Sequence, residues 1–320
     1  MLEVYMVLGF VLAAYSIIAN DAIQTLGTFI SSNSKRPWWV LWLFASSVLV
    51  VVLLYGWFSS GVGDASYNRL DKIPFPEGGL TWLYIIPPIV ILILTRYSIP
   101  VSTTFLVLTI FAPSNLGSML TKSLMGYAVA FVVAILLYRF VIKGMTEYFD
   151  RTSGQPAPSY WIGLQWVATA FLWSQWLIQD LANIFVYLPR EVSANWMAFA
   201  VVVFVALLGL IFYRNGGAIQ QIVTSKTGTT DIRAATIIDF IYAIILLIFK
   251  EWSNVPMSTT WVFLGLLAGR EFAISMHMFK PSVNETAKIV RKDAVKAGLG
   301  LAISVLLALG LPWIYQITQS

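Results

Sequence analysis

Twelve apolar runs, separated by short segments that carry nearly all the charge, restrict this chain more than any other feature. They fall at about 4–19, 22–30, 38–58, 80–95, 99–112 and 118–142, then at 160–178, 181–189, 195–213, 232–249, 255–268 and 296–316. With 58% hydrophobic and 11% charged residues among 320, no soluble core could hide this much apolar surface. The expected class is an all-α polytopic membrane protein. The chain has no cysteine and one histidine, His277, which the sequence places in a loop, so thiolate, zinc and haem chemistry are not expected to organise it and no cofactor is expected. The net charge of +5 lies in short loops, the pattern of membrane topology rather than of a nucleic-acid surface. The first run has Glu3 as its only charge and leads into Asn20 and Asp21, so it reads as a retained segment rather than a cleaved leader.

Several runs are too short to cross a bilayer, which takes roughly 20 apolar residues. The short ones sit in matching places: 22–30 answers 181–189, and 99–112 answers 255–268. Interrupted segments in corresponding positions point to the binding site of a transporter built from repeats. Identities agree, since Pro100-Val101-Ser102-Thr103-Thr104 is matched by Pro256-Met257-Ser258-Thr259-Thr260, and Asn20-Asp21 by Gln179-Asp180. Asp21 precedes Ser102 by 81 residues and Asp180 precedes Ser258 by 78. The predicted organisation is a first repeat at 1–142, a connector at 143–159 and a second repeat at 160–320.

Charge sets the direction of each repeat. Lys35 and Arg36 mark a cytoplasmic loop, whereas 59–79, with Asp64, Asp71 and Glu77 against Arg69 and Lys72, reads as external. The connector, 214–233 and 270–296 are rich in basic residues and read as cytoplasmic. These assignments agree if 1–33 crosses as a broken helix, 38–58 crosses back, 80–112 is a re-entrant hairpin and 118–142 crosses. Three crossings per repeat invert the second half, giving six in all with both termini outside. A bacterial inner membrane is the expected residence.

Asp21 and Asp180 interrupt apolar sequence at a cost of about 2.5–3.5 kcal/mol each, which implies compensation by function. Their carboxylates, the amide oxygens of Asn20 and Gln179, and freed backbone carbonyls suit a hard monovalent cation. Pro100 and Pro256 are expected to start half-helices. Helix N-termini combined with the hydroxyls of Ser102, Thr103, Thr104, Ser258, Thr259 and Thr260 make an anion site. Near the hairpin tips, Arg96 offers a bidentate oxyanion contact, while Lys250 and Glu251 form a candidate neutral pair. Asp239, inside an apolar helix, is a further candidate proton or cation carboxylate.

These residues resemble the inorganic phosphate transporter (PiT) family, which includes sulfate permeases. Its hallmark is a duplicated Gly-Ala-Asn-Asp-Val-Ala-Asn-Ala segment followed in each half by Pro-Val-Ser-Thr-Thr-His. Here the first segment reads Ala19-Asn20-Asp21-Ala22-Ile23-Gln24 and the second Gln179-Asp180-Leu181-Ala182-Asn183-Ile184. Gln24 stands where the family has Asn, Gln179 replaces the second motif's Asn, and Phe105 and Trp261 replace the histidines. The resemblance implies an inverted-repeat carrier, often a homodimer, with the oxyanion against Ser102, Thr103, Ser258 and Thr259. It places the coupling cation, Na+ or H+, near Asn20, Asp21, Gln179 and Asp180, with Gln24 and Asn183 beside them, and Asp21 and Asp180 as the metal ligands if the ion is sodium.

The expected function is therefore a phosphate symporter coupled to sodium or protons, with a sulfate or related oxyanion permease as the alternative. An anion channel would line full spans with polar residues, whereas here they gather at breaks. An intramembrane aspartyl enzyme would use the two carboxylates as an acid–base pair, which their symmetric placement beside half-helices suits less well than binding.

Overall fold

The computed structural model describes residues 2–61, 63–97, 99, 101–137, 151–152, 157–216, 231–252, 258–278 and 283–319. Most of the expected connector lies outside them. The described residues are helical and contain no strand. The chain is a multi-pass membrane protein. Helix α1 (Leu2–Ile17) runs through a π-helical turn (Ile18–Ala22) into α2 (Ile23–Ser32), followed by α3 (Trp38–Ser59). A long loop leads to α4 (Ile86–Arg96), α5 (Thr103–Phe111) and α6 (Leu116–Leu137). Then come α7 (Tyr160–Asp180), the short α8 (Ala182–Phe185), α9 (Ala194–Tyr213), α10 (Ile232–Trp252), α11 (Thr259–Met278) and α12 (Val283–Gln319).

Among the described residues six helical stretches are long and apolar enough to span a bilayer: Glu3–Ala22, Trp38–Ser59, Pro113–Leu137, Ala194–Tyr213, Ile232–Phe249 and Asn284–Leu311. The number agrees with the sequence expectation, but one member differs. Residues 160–189, expected to cross, are not among the six, because Gln165, Gln175, Gln179 and Asp180 on α7 lower its hydropathy; all four are buried by neighbouring helices. Ile232–Phe249, expected as a hairpin arm, is apolar enough to qualify.

Two boundaries also move. The last run, expected at 296–316, belongs to a single helix beginning at Val283. Its charged first turns were expected to be loop, yet no glycine or proline interrupts them, and Lys, Glu and Arg are good helix formers once outside lipid. Helix α11 likewise runs past 268 to Met278, so His277 is helical and not in a loop. Nor does the chain unwind at the aspartates. Asp21 lies in a π turn of a continuous rod, and α7 resumes as α8 after Leu181 alone. Since the backbone there stays folded, polar side chains must supply what freed carbonyls were expected to supply.

Within 80–112, α4 does pack against α5 as a helical hairpin. The tip between α10 and α11, with Pro256 and Met257, falls outside the described residues, as does Pro100. Helices α5 and α11 begin at Thr103 and Thr259, three residues after these prolines, because Ser102 and Ser258 take the capping position. The second arm of each hairpin packs across to the other half, α5 on α12 and α11 on α6, whereas the first arms stay within their own, α4 on α1 and α10 on α7; α3 packs on α9. The α6–α11 contact depends on Gly265 and Gly269, where an added Cβ would lie 2.3 Å from the carbonyl oxygens of Tyr127 and Phe131. Two glycines four residues apart let helix backbones approach this closely in a bilayer.

Candidate binding site

The crossing arms bring the two aspartate segments and the two Ser-Thr-Thr segments into one buried polar cluster. Asp21 Oδ2 accepts from the Thr103 hydroxyl at 2.5 Å, and Asp21 Oδ1 from Asn20 Nδ2 at 2.6 Å, Gln24 Nε2 at 3.3 Å and the Thr260 hydroxyl at 3.3 Å. Asp180 Oδ2 accepts from the Thr259 hydroxyl at 2.6 Å, and its Oδ1 from Asn183 Nδ2 at 2.8 Å and the Thr104 hydroxyl at 3.5 Å. Each carboxylate thus takes the first threonine of its own half and the second threonine of the other. Asn183 Nδ2 also reaches Thr103 and Thr104, at 3.1 and 3.2 Å, and joins the two centres. Asp21 and Asp180 feel each other's charge across this junction.

The serines act differently from the threonines. Ser102 Oγ accepts from the Phe105 backbone N–H at 3.2 Å and Ser258 Oγ from that of Trp261 at 3.3 Å, so both cap helices whose N-termini point at the cluster. Their lone pairs meet orphaned helix donors. Around them, Asn20 Nδ2 and the Thr260 hydroxyl both donate to the Val101 carbonyl, at 3.0 and 3.1 Å, and tie the first hairpin tip to both halves.

Two buried acceptors in the cluster have no donor: Gln24 Oε1 and Asn183 Oδ1. Each belongs to the residue three positions after an aspartate. A buried amide oxygen without a partner costs about 1–3 kcal/mol, and two at equivalent positions beside two carboxylates form a set of hard oxygen donors. Their chemistry fits a monovalent cation such as Na+.

Every candidate of the aspartate and Ser-Thr-Thr segments is buried here, but Gln179 points away from Asp180, donating to the Leu246 carbonyl at 3.1 Å. Arg96 is not brought to the site. It sits exposed in the last turn of α4, where a cation complements the helix C-terminus. Lys250 and Glu251 lie in the last turn of α10. Asp239 forms a separate centre, accepting from Thr28 and Thr169 hydroxyls at 2.6 Å each, with no basic residue among its described partners. Sequence reasoning missed Thr95, which donates to Asn20 Oδ1 at 3.4 Å, Ser123, which accepts from the Ser258 N–H at 2.9 Å, and Tyr242, which donates to the Thr259 carbonyl at 3.0 Å. Polar residues within apolar runs were the available signal. Arg69, also missed, is buried under the loop before α4.

No protein-family model matches the sequence, and no curated protein matches it. Among solved structures, one described as "The sodium-dependent phosphate transporter" superposes with a TM-score of 0.63 at 15% identity, covering 99% of each chain. The chain therefore shares the fold of that transporter over its whole length.

Proposed function

We propose that this protein is a secondary transporter that moves inorganic phosphate across the membrane together with a cation. The observation that carries this reading is the pairing of two buried carboxylates, two donor-less amide oxygens and two capped helix N-termini in one cluster at the meeting of two hairpin-bearing halves. Oxygen donors take the cation and helix N-termini favour the anion, so each ligand lowers the cost of binding the other. The exchange of threonine donors between Asp21 and Asp180 supports two inverted repeats, 1–142 and 160–320, and the basic loops favour both termini outside. The name of the structural neighbour favours sodium as the coupling ion. A carboxylate-lined site also favours phosphate over sulfate, because phosphate at neutral pH keeps a proton to donate and sulfate does not.

Uptake of labelled phosphate and sulfate into proteoliposomes, under imposed sodium or proton gradients, tests this directly. Phosphate accumulation driven by sodium is the expected result. Sulfate uptake in its place would reassign the substrate, and no uptake of either anion under any gradient would overturn the transporter reading.

A further inference from the structure

The loop between α3 and α4 does something unusual for an extramembrane segment: it buries an arginine. Arg69 is only 3% exposed, and its Nη1 has no hydrogen-bond partner. The opposite charge that acts on it is Asp180, yet no ion pair within 4 Å joins the two. A buried guanidinium that stops short of its counter-charge is costly unless something else satisfies its donors.

The backbone around it is constrained to hold this position. Tyr67 and Asn68, immediately before Arg69, have φ of 57° and 62°, left-handed values that non-glycine residues rarely adopt. Asp64 secures the turn: its Oδ1 accepts from the Ser66 N–H at 2.7 Å and the Ser66 hydroxyl at 2.6 Å, and its Oδ2 from the Asn68 N–H at 2.6 Å. Tyr67 donates to the Val52 carbonyl at 2.6 Å and lays its ring over Gly56, where a Cβ would come within 2.7 Å of it. Beyond Arg69, Leu70 and Ile73 enter the core, and the Ile73 carbonyl accepts from Arg190 Nε at 2.9 Å. Left-handed backbone at Tyr67 is strained, and such strain concentrates at ligand clamps. Lys72 on the loop and Lys122 on α6 extend the same positive field, since Arg69 and Lys72 both act electrostatically on Lys122. Burial pushes the Arg69 guanidinium down to about 10, against the pull of Asp180, so it remains charged at neutral pH.

We propose that Arg69 is the cationic ligand of the transported oxyanion, its planar fork holding phosphate between the loop and Asp180. The inference rests on the phosphate-transport reading and adds the residue that recognises the anion's charge. A guanidinium offers two parallel N–H donors to two oxygens of one tetrahedral anion. Phosphate held there turns its protonated oxygen toward the Asp180 carboxylate, a contact sulfate cannot make. Specificity and affinity then come from the same pair of residues.

The test is inorganic phosphate binding to the purified full-length protein, alongside Na+ binding and the melting temperature without ligand. Arg69→Gln is expected to raise the phosphate Kd by about tenfold or more, leaving the Na+ Kd unchanged. Arg190→Gln is the control, since that arginine secures the loop through the Ile73, Val186 and Leu188 carbonyls and is expected to lower the melting temperature without weakening phosphate. If Arg69→Gln behaves like Arg190→Gln, with lower melting and unchanged phosphate affinity, Arg69 is a loop staple and the proposal falls. Should Arg69→Gln fail to fold, Arg69→Lys decides, because it keeps the charge and loses the fork: weaker phosphate binding supports the assignment and wild-type affinity overturns it. Wild-type protein that binds no phosphate would remove the transport reading itself, and this inference with it.

Discussion

The Asp21 and Asp180 centres share one frame and differ in what completes it. Both carboxylates take a close threonine from their own half, Thr103 or Thr259, and a longer one from the other half, Thr260 or Thr104. Asp21 then gains Asn20 and Gln24 as neutral donors, whereas Gln179, the counterpart of Asn20, turns to the Leu246 carbonyl. Asp180 keeps one amide donor, Asn183 at 2.8 Å, and lies in the field of Arg69. Their backbones differ as well, a π turn at Asp21 and a one-residue interruption after Asp180. One-sided side chains thus set a centre with two amide donors apart from one with a single amide donor and a nearby cation.

The comparison breaks most readily at the carboxylates. Asp21→Asn should abolish sodium-driven phosphate accumulation, while Asp180→Asn should also leave Arg69 without its counter-charge and so impair phosphate binding; identical defects in sodium titrations and phosphate titrations of both variants would show the centres to be equivalent. Next come the threonines. Thr103→Val and Thr259→Val remove the 2.5 and 2.6 Å donors and should each destabilise by about 1–3 kcal/mol, read as melting temperature. Thr104→Val, which removes the 3.5 Å contact to Asp180 and the 3.2 Å bond from Asn183, should cost less than Thr103→Val, and an equal cost would mean the short and long bonds to the carboxylates are not distinct.

Gln24→Leu and Asn183→Leu sharpen the cation side. Each deletes a buried oxygen that lacks a donor together with an amide N–H that serves a carboxylate, so the resting melting temperature should fall, less for Gln24 at 3.3 Å than for Asn183 at 2.8 Å, and the stabilisation conferred by added Na+ should shrink; full sodium stabilisation in both would remove these oxygens from the cation site. The smallest effect belongs to Gln179→Leu, which frees one backbone carbonyl at a cost of roughly 1 kcal/mol. Sodium affinity should stay at the wild-type value, in contrast to Asn20→Leu, and a loss in both would restore the symmetry that the geometry denies.

Much of this was legible in the chain. Hydropathy gave an all-helical membrane protein, and the duplicated Asp and Ser-Thr-Thr segments identified the residues that meet at the centre, because a carboxylate or a polar triplet is retained in lipid only where other polar groups surround it. Helix continuity was less visible. The aspartates read as breaks, yet a π turn and a single-residue interruption keep the rods intact, a difference set by neighbouring donors rather than by local propensity. Arg96 looked well placed because it adjoins a hairpin tip in sequence, but helical phase turns it outward.

Sequence alone determined the solvent in which this protein folds, the helical class and the aspartates and Ser-Thr-Thr segments at the heart of the polar cluster, since composition and recurring motifs are properties of the chain read in order. Only the tertiary structure decided which threonine serves which aspartate, which amide oxygens are left without donors, and that Arg69, a residue indistinguishable in sequence from any loop charge, lies inside. Those depend on helices from different halves crossing at fixed distances, and on a left-handed turn held by Asp64. No local pattern encodes either one.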